Sequence, residues 1–295
     1  MTARQRRPTV NEREFIERAL QSNLRADGRG PFDFRELKIV LCRENGTAEV
    51  ELGETRVMGC VTAQLVQPYK DRPNEGTLAI FAEFTPMADP AYDPGRPGEE
   101  AIELGRVIDR GLRASRAVDL ESLCVVAGKV VWSIRVDLHV LDNGGNLIDA
   151  ANIAALAALS TFQRPECTVG GDDGQPVTLH DPEVRDPVPL TIHLSIAVTF
   201  AYSGGGNIMV ADPTCEEEAA LGGRMTVTLD SSGDVCSIQK ADGDGLIPSF
   251  VTKCLRIASI KAADITSEFM QQVGWVSRSR LGFQRLYDRT WFLWL

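Results

Sequence analysis

The 295-residue sequence predicts an α/β fold of the α+β kind, built from two βα subdomains in one chain. Three observations predict it. Residues 129–141, "KVVWSIRVDLHVL", alternate cleanly, with Val130, Trp132, Ile134, Val136, Leu138 and Val140 on one face and Ser133, Arg135, Asp137 and His139 on the other. That is the period of a half-buried strand. The Ala-rich segment that follows is close to apolar all round, Ile153, Leu156 and Leu159 included, as a helix inside a core should be. The second half of the chain then repeats the order of the first, a hairpin, further strands and a packing helix.

Each element has a local reason. After "RQRR" a helix is expected, with Asn11 and Glu14 as a capping box and Phe15, Ile16, Ala19 and Leu20 on one apolar face. Residues 25–37, "RADGRGPFDFREL", read as a Gly/Pro-rich connector. Residues 47–65 read as two strands turned at Gly53-Glu54. Within the Pro- and Gly-rich stretch 67–98, "TLAIFAEFTPMA" reads as a strand, and helical spacing runs over 99–118. The long strand 129–141 feeds a glycine turn and a helix at 149–162. A loop is expected at 163–188, strands at 190–200 and 207–211, a hairpin at 224–239, and a long helix to about Val273. The expected units are 1–30 (basic segment and helix), 31–170, 186–273, and a tail, 274–295, of abruptly different composition.

Composition excludes several classes. The chain is 43% hydrophobic and 24% charged, the balance of an ordinary globular protein. Seven cysteines, an odd number without a Cys-x-x-Cys pair, and three histidines away from zinc-ligand spacing predict no disulfide framework and no metal site. With no apolar leader and no membrane-length run, a soluble intracellular protein without a membrane partner is expected. Net charge is −10 but uneven. Residues 1–35 and 271–295 are each +3, while 36–270 hold 19 Lys/Arg against 35 Asp/Glu, a net of −16. Such a chain would not hold RNA by bulk charge and would need a local basic stripe. Arg106, Arg110 and Arg113 supply one at i, i+4 and i+7, with Arg116 nearby and Ile102, Ile108 and Leu112 on other sides, where they can face the core. The alternative is a solvated stripe that pairs with Glu103, Asp109 or a neighbouring subunit.

The stretch 140–159, "VLDNGGNLIDAANIAALAAL", puts a strand, Gly144-Gly145 and a helix N-terminus in the order that holds an anion. Yet Asn146, Leu147 and Ile148 carry no positive charge. Asp137 and His139 share a strand face, but no nucleophile can be placed with them. "GGG" at 204–206 is a lone turn signal. The edges of strand 129–141 invite pairing or require cover.

"RADGRGPFDFREL", "VELGETRVMGCV", "DLESLCVVAGKVVWSIRVDLHVLDNGGNLIDAANIAALAAL", "VPLTIHLSIAVTF" and "VADPTCEEEAALGGRMTVTL" closely resemble the RNase PH family, and within it the ring subunits of the RNA exosome. The resemblance runs from about Asn11 to Val273 and implies a duplicated βα fold of the ribosomal-S5-domain-2-like type. Active members degrade RNA from the 3′ end by phosphorolysis. Their matching loop reads Gly-Gly-Thr-Arg-Thr, whose threonine and arginine hold the attacking phosphate. Here Gly144 and Gly145 remain, Asn146 follows, and Leu147 stands in the arginine's place. A charged hydrogen bond contributes roughly 1.5–3 kcal/mol, so the loss should cost roughly two to four orders of magnitude in phosphate affinity. Active members also carry two aspartates six apart, matched here by Asp212 and Glu218, and a third that would fall in "LGGRM", where no acid stands. Taken alone, that acidic cluster reads as a solvated loop.

The resemblance therefore implies a subunit with no catalytic residue and no cofactor. Its implied partners are other RNase-PH-like subunits in a hetero-hexameric ring, RNA-binding cap subunits, RNA and associated nucleases. Its implied work is maturation of ribosomal RNA and turnover of messenger RNA, in nucleus (nucleolus and nucleoplasm) and cytoplasm. The rival is an active phosphate-dependent 3′–5′ exoribonuclease.

Overall fold

Two sheets share one hydrophobic core, with a buried Ala-rich helix between them. The computed structural model describes residues 8–42, 44–89, 92, 97–169, 177–180, 185–203, 208–243 and 245–290, with side chains to 274. Helix α1 (Val10–Gln21) opens the chain. Its capping box is Thr9 with Glu12, not Asn11 with Glu14: Glu12 N donates to Thr9 Oγ1 at 3.3 Å, and Thr9 N to Glu12 at 2.7 Å. Both pairs have the right spacing. Thr9 takes the role because it is the extended residue that precedes the first turn. Only Ile16 and Leu20 of the expected apolar face are buried, and Phe15 is 65% exposed. The helix lies on the surface and needs only a narrow contact with Ala201, Val210, Ala220 and Leu221.

Strands β1 (Leu37–Leu41), β2 (Thr47–Leu52), β3 (Thr55–Val66) and β4 (Thr77–Phe84) follow. The Gly53-Glu54 turn joins β2 and β3 as expected, with Gly53 at φ +58°. Helix α2 (Glu99–Ala114) precedes the short β5 (Cys124–Val126) and the long β6 (Val130–Asp142). The sheet runs β1-β2-β3-β6-β4, with β5 also on β6. Strand β6 is therefore interior, antiparallel to β3 and parallel to β4. Its edges, expected to need pairing or cover, are paired within the chain.

Helix α3 (Leu147–Thr161) starts two residues before the sequence suggested. The expected loop 163–188 contains short strands instead: β7 (Gln163–Arg164), β8 (Cys167–Val169), β9 (Val177–Leu179) and β10 (Val188–Pro189), paired β7 with β10 and β8 with β9. The second sheet is formed by β11 (Ser195–Ser203), β12 (Ile208–Ala211), and, after α4 (Cys215–Leu221), β13 (Gly223–Asp230) and β14 (Val235–Asp242). Its order is β12-β11-β13-β14, antiparallel throughout, whereas the first sheet includes a parallel pair. The halves thus repeat a pattern of elements and differ in topology. Helix α5 (Pro248–Thr290) runs on through the expected tail boundary. The "GGG" at 204–206 lies outside the described residues.

Two devices close the sheets. Strand β12 covers only the end of β11. The polar pair of the otherwise apolar α3 serves the rest: Ala197 N donates to Asn152 at 3.1 Å and Thr199 N to Asp149 at 3.0 Å. A buried N–H without a partner is costly, so α3 takes the place of a missing strand. Gln272 of α5 does the same for β1, accepting from Ile39 N at 2.7 Å and donating to Leu37 O at 2.9 Å.

Candidate functional site

The fold brings the glycine turn, the connector and the acidic segment together. Asp212 sits at φ +48° just after β12, fully buried. Its Oδ2 accepts from Arg29 at 2.8 Å, from Arg35 Nε at 3.0 Å and from Arg35 N at 2.9 Å. Its Oδ1 accepts from Arg35 Nη2 at 2.8 Å and from Asn146 Nδ2 at 2.7 Å. Burial alone would raise its carboxyl, but the Arg35 guanidinium and Asn146 outweigh it and hold the group below the usual carboxylate range. Arg35 also donates to Thr55 and to the carbonyls of Gly144 and Gly145 at 3.0–3.1 Å, tying Asp212 to the back of the glycine turn.

The next acid along is equally committed. Glu217 is buried, caps α4 through Thr214, and pairs with Arg25 at 2.5 Å. Arg25 also donates to the carbonyls of Ala211 and Asp212. The acidic run is therefore no solvated loop, as its composition alone suggested. It is half of an ion-pair hub whose other half is the connector. Sequence reasoning missed Arg25, Arg29 and Arg35. Their signal was three arginines within eleven residues of a Gly/Pro-rich segment, in a chain whose centre is strongly acidic.

Glu218 lies close enough to Asp212 for that charge to act on it. It turns to the loop, where Asn146 N donates to its Oε1 at 3.1 Å. Asn146 stands at φ +51° as N-cap of α3 and is buried, its Nδ2 shared between Asp149 and Asp212 and its Oδ1 without a hydrogen bond. Leu147 is half-buried in the first turn and Ile148 is buried. Among the described residues, no group of three or more His, Cys, Asp or Glu is placed to hold a metal ion. Asp137 is taken by Arg135, and His139 lies 3.4 Å from Glu83.

Burial pushes Asp149 up to about 7, despite hydrogen bonds from Asn146 and Thr199, and burial raises Glu218 likewise. Folded Asp149 thus keeps a proton that the unfolded chain loses near its usual value of 3.8. Stability from this group is fully present below pH 4 and falls as pH rises toward 7. Asp212 has the opposite sign, and its contribution is lost only at lower pH. Urea unfolding midpoints should decline between pH 5 and 7, and Asp149→Asn should flatten that decline. An unchanged slope in the variant would show that Asp149 is ionised throughout.

The arginine stripe divides. Arg106, Arg110 and Arg113 are all exposed on α2. Arg113 is held by Asp109 at 2.8 Å and by the carbonyl of Leu78 on β4, which is the bland reading of the stripe. Arg106 and Arg110 instead line a groove of about 470 Å³ between α2 and the second sheet, with Glu99, Glu103, Arg224 and Lys240, and Ile148 at the start of α3. Ile108 and Leu112 are buried, but Ile102 is 43% exposed and lines the same groove, contrary to its expected place toward the core.

The model described as 3′ exoribonuclease family, domain 1 (RNase PH), matches residues 33–165, and that of domain 2 matches residues 193–261. The chain belongs to the RNase PH family. Exosome complex component RRP45B of Arabidopsis thaliana is 63% identical over 268 residues, covering 90% of this chain and 61% of that protein. Exosome complex component RRP45A of the same plant is 60% identical over 275 residues, covering 93% and 90%. The chain thus spans about three fifths of one relative and nine tenths of the other. A chain of the Archaeoglobus fulgidus exosome with RNA bound to the active site superposes with a TM-score of 0.77 at 34% identity, over 88% of this chain and 98% of that one. The duplicated α/β fold is that of the RNase PH family. The finer likeness in the sequence, to the ring subunit known as the polymyositis/scleroderma autoantigen, falls on this same group of relatives. The Gly144-Gly145 turn is here a structural junction, its carbonyls held by Arg35 and its next residue, Asn146, by Asp212 and Glu218.

Proposed function

We propose that the chain is a non-catalytic RNase-PH-like subunit of an RNA exosome ring, scaffolding the complex and guiding RNA toward associated nucleases. Its partners are then other RNase-PH-like subunits, RNA-binding caps and RNA, in nucleus and cytoplasm, and its work is ribosomal RNA maturation and messenger RNA turnover. The relatives named exosome complex components support the assembly. The observation that carries the absence of catalysis is Asp212. Its two oxygens are already committed to five donors, and it has no tendency to carry a proton at neutral pH. Leu147 leaves the loop without the charge that would hold phosphate.

RNA contact falls to Arg106 and Arg110, which no hydrogen bond or ion pair engages among the described residues. Arg113, already paired, contributes less. Replacing Arg106 and Arg110 with Glu should weaken binding to different RNA sequences alike and flatten its salt dependence. Unchanged affinity and salt slope would reassign them to packing or subunit contacts. Co-expression with an RNase-PH-like partner should give a discrete heterodimer with a raised melting temperature. A stable monomer or homohexamer, indifferent to the partner in light scattering, would contradict the assembly.

A further inference from the structure

The groove beside α2 holds a cation that the sequence did not single out. Arg224, on β13 of the second sheet, reaches across it, and its Nη2 lies 2.6 Å from Glu103 Oε1 on α2. Both side chains are partly open to solvent, 33% and 51% exposed, so the pair is screened and cheap to separate. The groove wall holds Arg106, Arg110, Arg224 and Lys240 against Glu99 and Glu103. Two of the four cations have other duties: Arg224 is held by Glu103, and Lys240 donates to the carbonyls of Asp242 and Gly243. Arg106 and Arg110 are one helical turn apart, with Cβ atoms about 5–6 Å from each other, a spacing suited to successive phosphates of an extended strand. Arg224 and Ile148, at the start of α3, line the same groove. Arg224 also lies close enough to Glu218 to act on its charge.

We propose that Arg224 is a further phosphate-binding residue of this groove, held in reserve by Glu103 and released when the phosphodiester backbone of single-stranded RNA displaces that carboxylate. The proposal rests on the reading of Arg106 and Arg110 as RNA contacts and extends it from α2 to the second sheet. Arginine suits the part, because its planar fork exchanges one carboxylate for one phosphate without losing its hydrogen bonds. The exchange makes affinity depend on a competition inside the protein, and removal of the competitor should strengthen binding.

The test is a four-variant cycle on the full chain, with fluorescein-labelled single-stranded RNA of mixed sequence titrated at several salt concentrations. Glu103→Gln should tighten binding about threefold to fivefold, and Arg224→Gln should weaken it by a similar factor and lower the salt slope by about 0.7, the loss of one phosphate contact. The gain from Glu103→Gln should vanish when Arg224 is also Gln, because the two act through one another. Equal tightening with and without Arg224 would show a general effect of removing a negative charge, and would overturn the proposal. An Arg224→Gln variant that binds RNA as the parent does would overturn it too, even if that variant disturbed binding to a protein partner. If Glu replacement of Arg106 and Arg110 weakens binding while the cycle shows no coupling, the inference about Arg224 falls alone. If that replacement has no effect, the RNA face on α2 falls and the inference with it.

Discussion

Asp212→Ala should destabilise the protein by about 3–5 kcal/mol, the cost of breaking a buried ion pair from one side. The side chain is fully buried, and its removal leaves Arg35 without its carboxylate and Arg29 with Asp27 alone, the two arginines being only 10% and 16% exposed. Arg35 would also lose the partner that aims it at the carbonyls of Gly144 and Gly145. For a domain of this size the loss corresponds to a fall in melting temperature of about 10 °C. Calorimetry of the two proteins measures it directly. A variant that melts within a degree or two of the parent would mean that the aspartate is not the hub described above. A catalytic acid in an open site would behave in that way.

Gly145→Ala should be the other severe change. Gly145 has φ +93°, and a Cβ there would lie 2.3 Å from Cys215 N and 2.5 Å from the carbonyl carbon of Thr214. Both are backbone atoms at the start of α4 and cannot swing aside. Left-handed strain of about 1–2 kcal/mol adds to an overpacking cost of about 1–3 kcal/mol, so a loss of about 2–5 kcal/mol is expected. Gly128→Ala provides the control, because Gly128 also has positive φ (+73°) but has open space where its Cβ would stand. It should show the strain alone. Equal effects at the two positions would remove the packing argument. A larger effect at Gly145 would mark the glycine turn as the place where the first subdomain packs against the start of α4.

The fold was legible in the sequence wherever one element announces itself alone. The alternation of 129–141, the two-residue turn at Gly53-Glu54 and the apolar helix at 149–162 all have local causes, and each was found within two residues of its expected place. What was not legible depends on partners far along the chain. Asp149 and Asn152 gave no signal in a helix read as apolar all round, because the β11 amides they serve lie 45–50 residues away. Arg25 and Glu217 are separated by 192 residues, so neither the connector nor the acidic run disclosed that it was half of a pair. The interior position of β6 was hidden for the same reason: its parallel neighbour β4 comes earlier, across α2. In the site, residue identities at Leu147, Asp212 and Glu218 were readable, but not the direction in which each side chain is committed. Arg224 left no sequence signal, since a single arginine on an alternating strand looks like any solvated residue.

The junction of Asn146, Asp212 and Glu218 is proposed to hold the fold together and to do no chemistry. Its most direct test is release of nucleoside diphosphates from single-stranded RNA by the purified full chain, with inorganic phosphate and magnesium supplied. Glu218→Gln should be measured beside it, because that change keeps the shape of the junction, whereas loss of Asp212 would compromise folding. No diphosphate release above background is expected from either protein. Phosphate-dependent shortening of the RNA by the parent chain, abolished by Glu218→Gln, would contradict it.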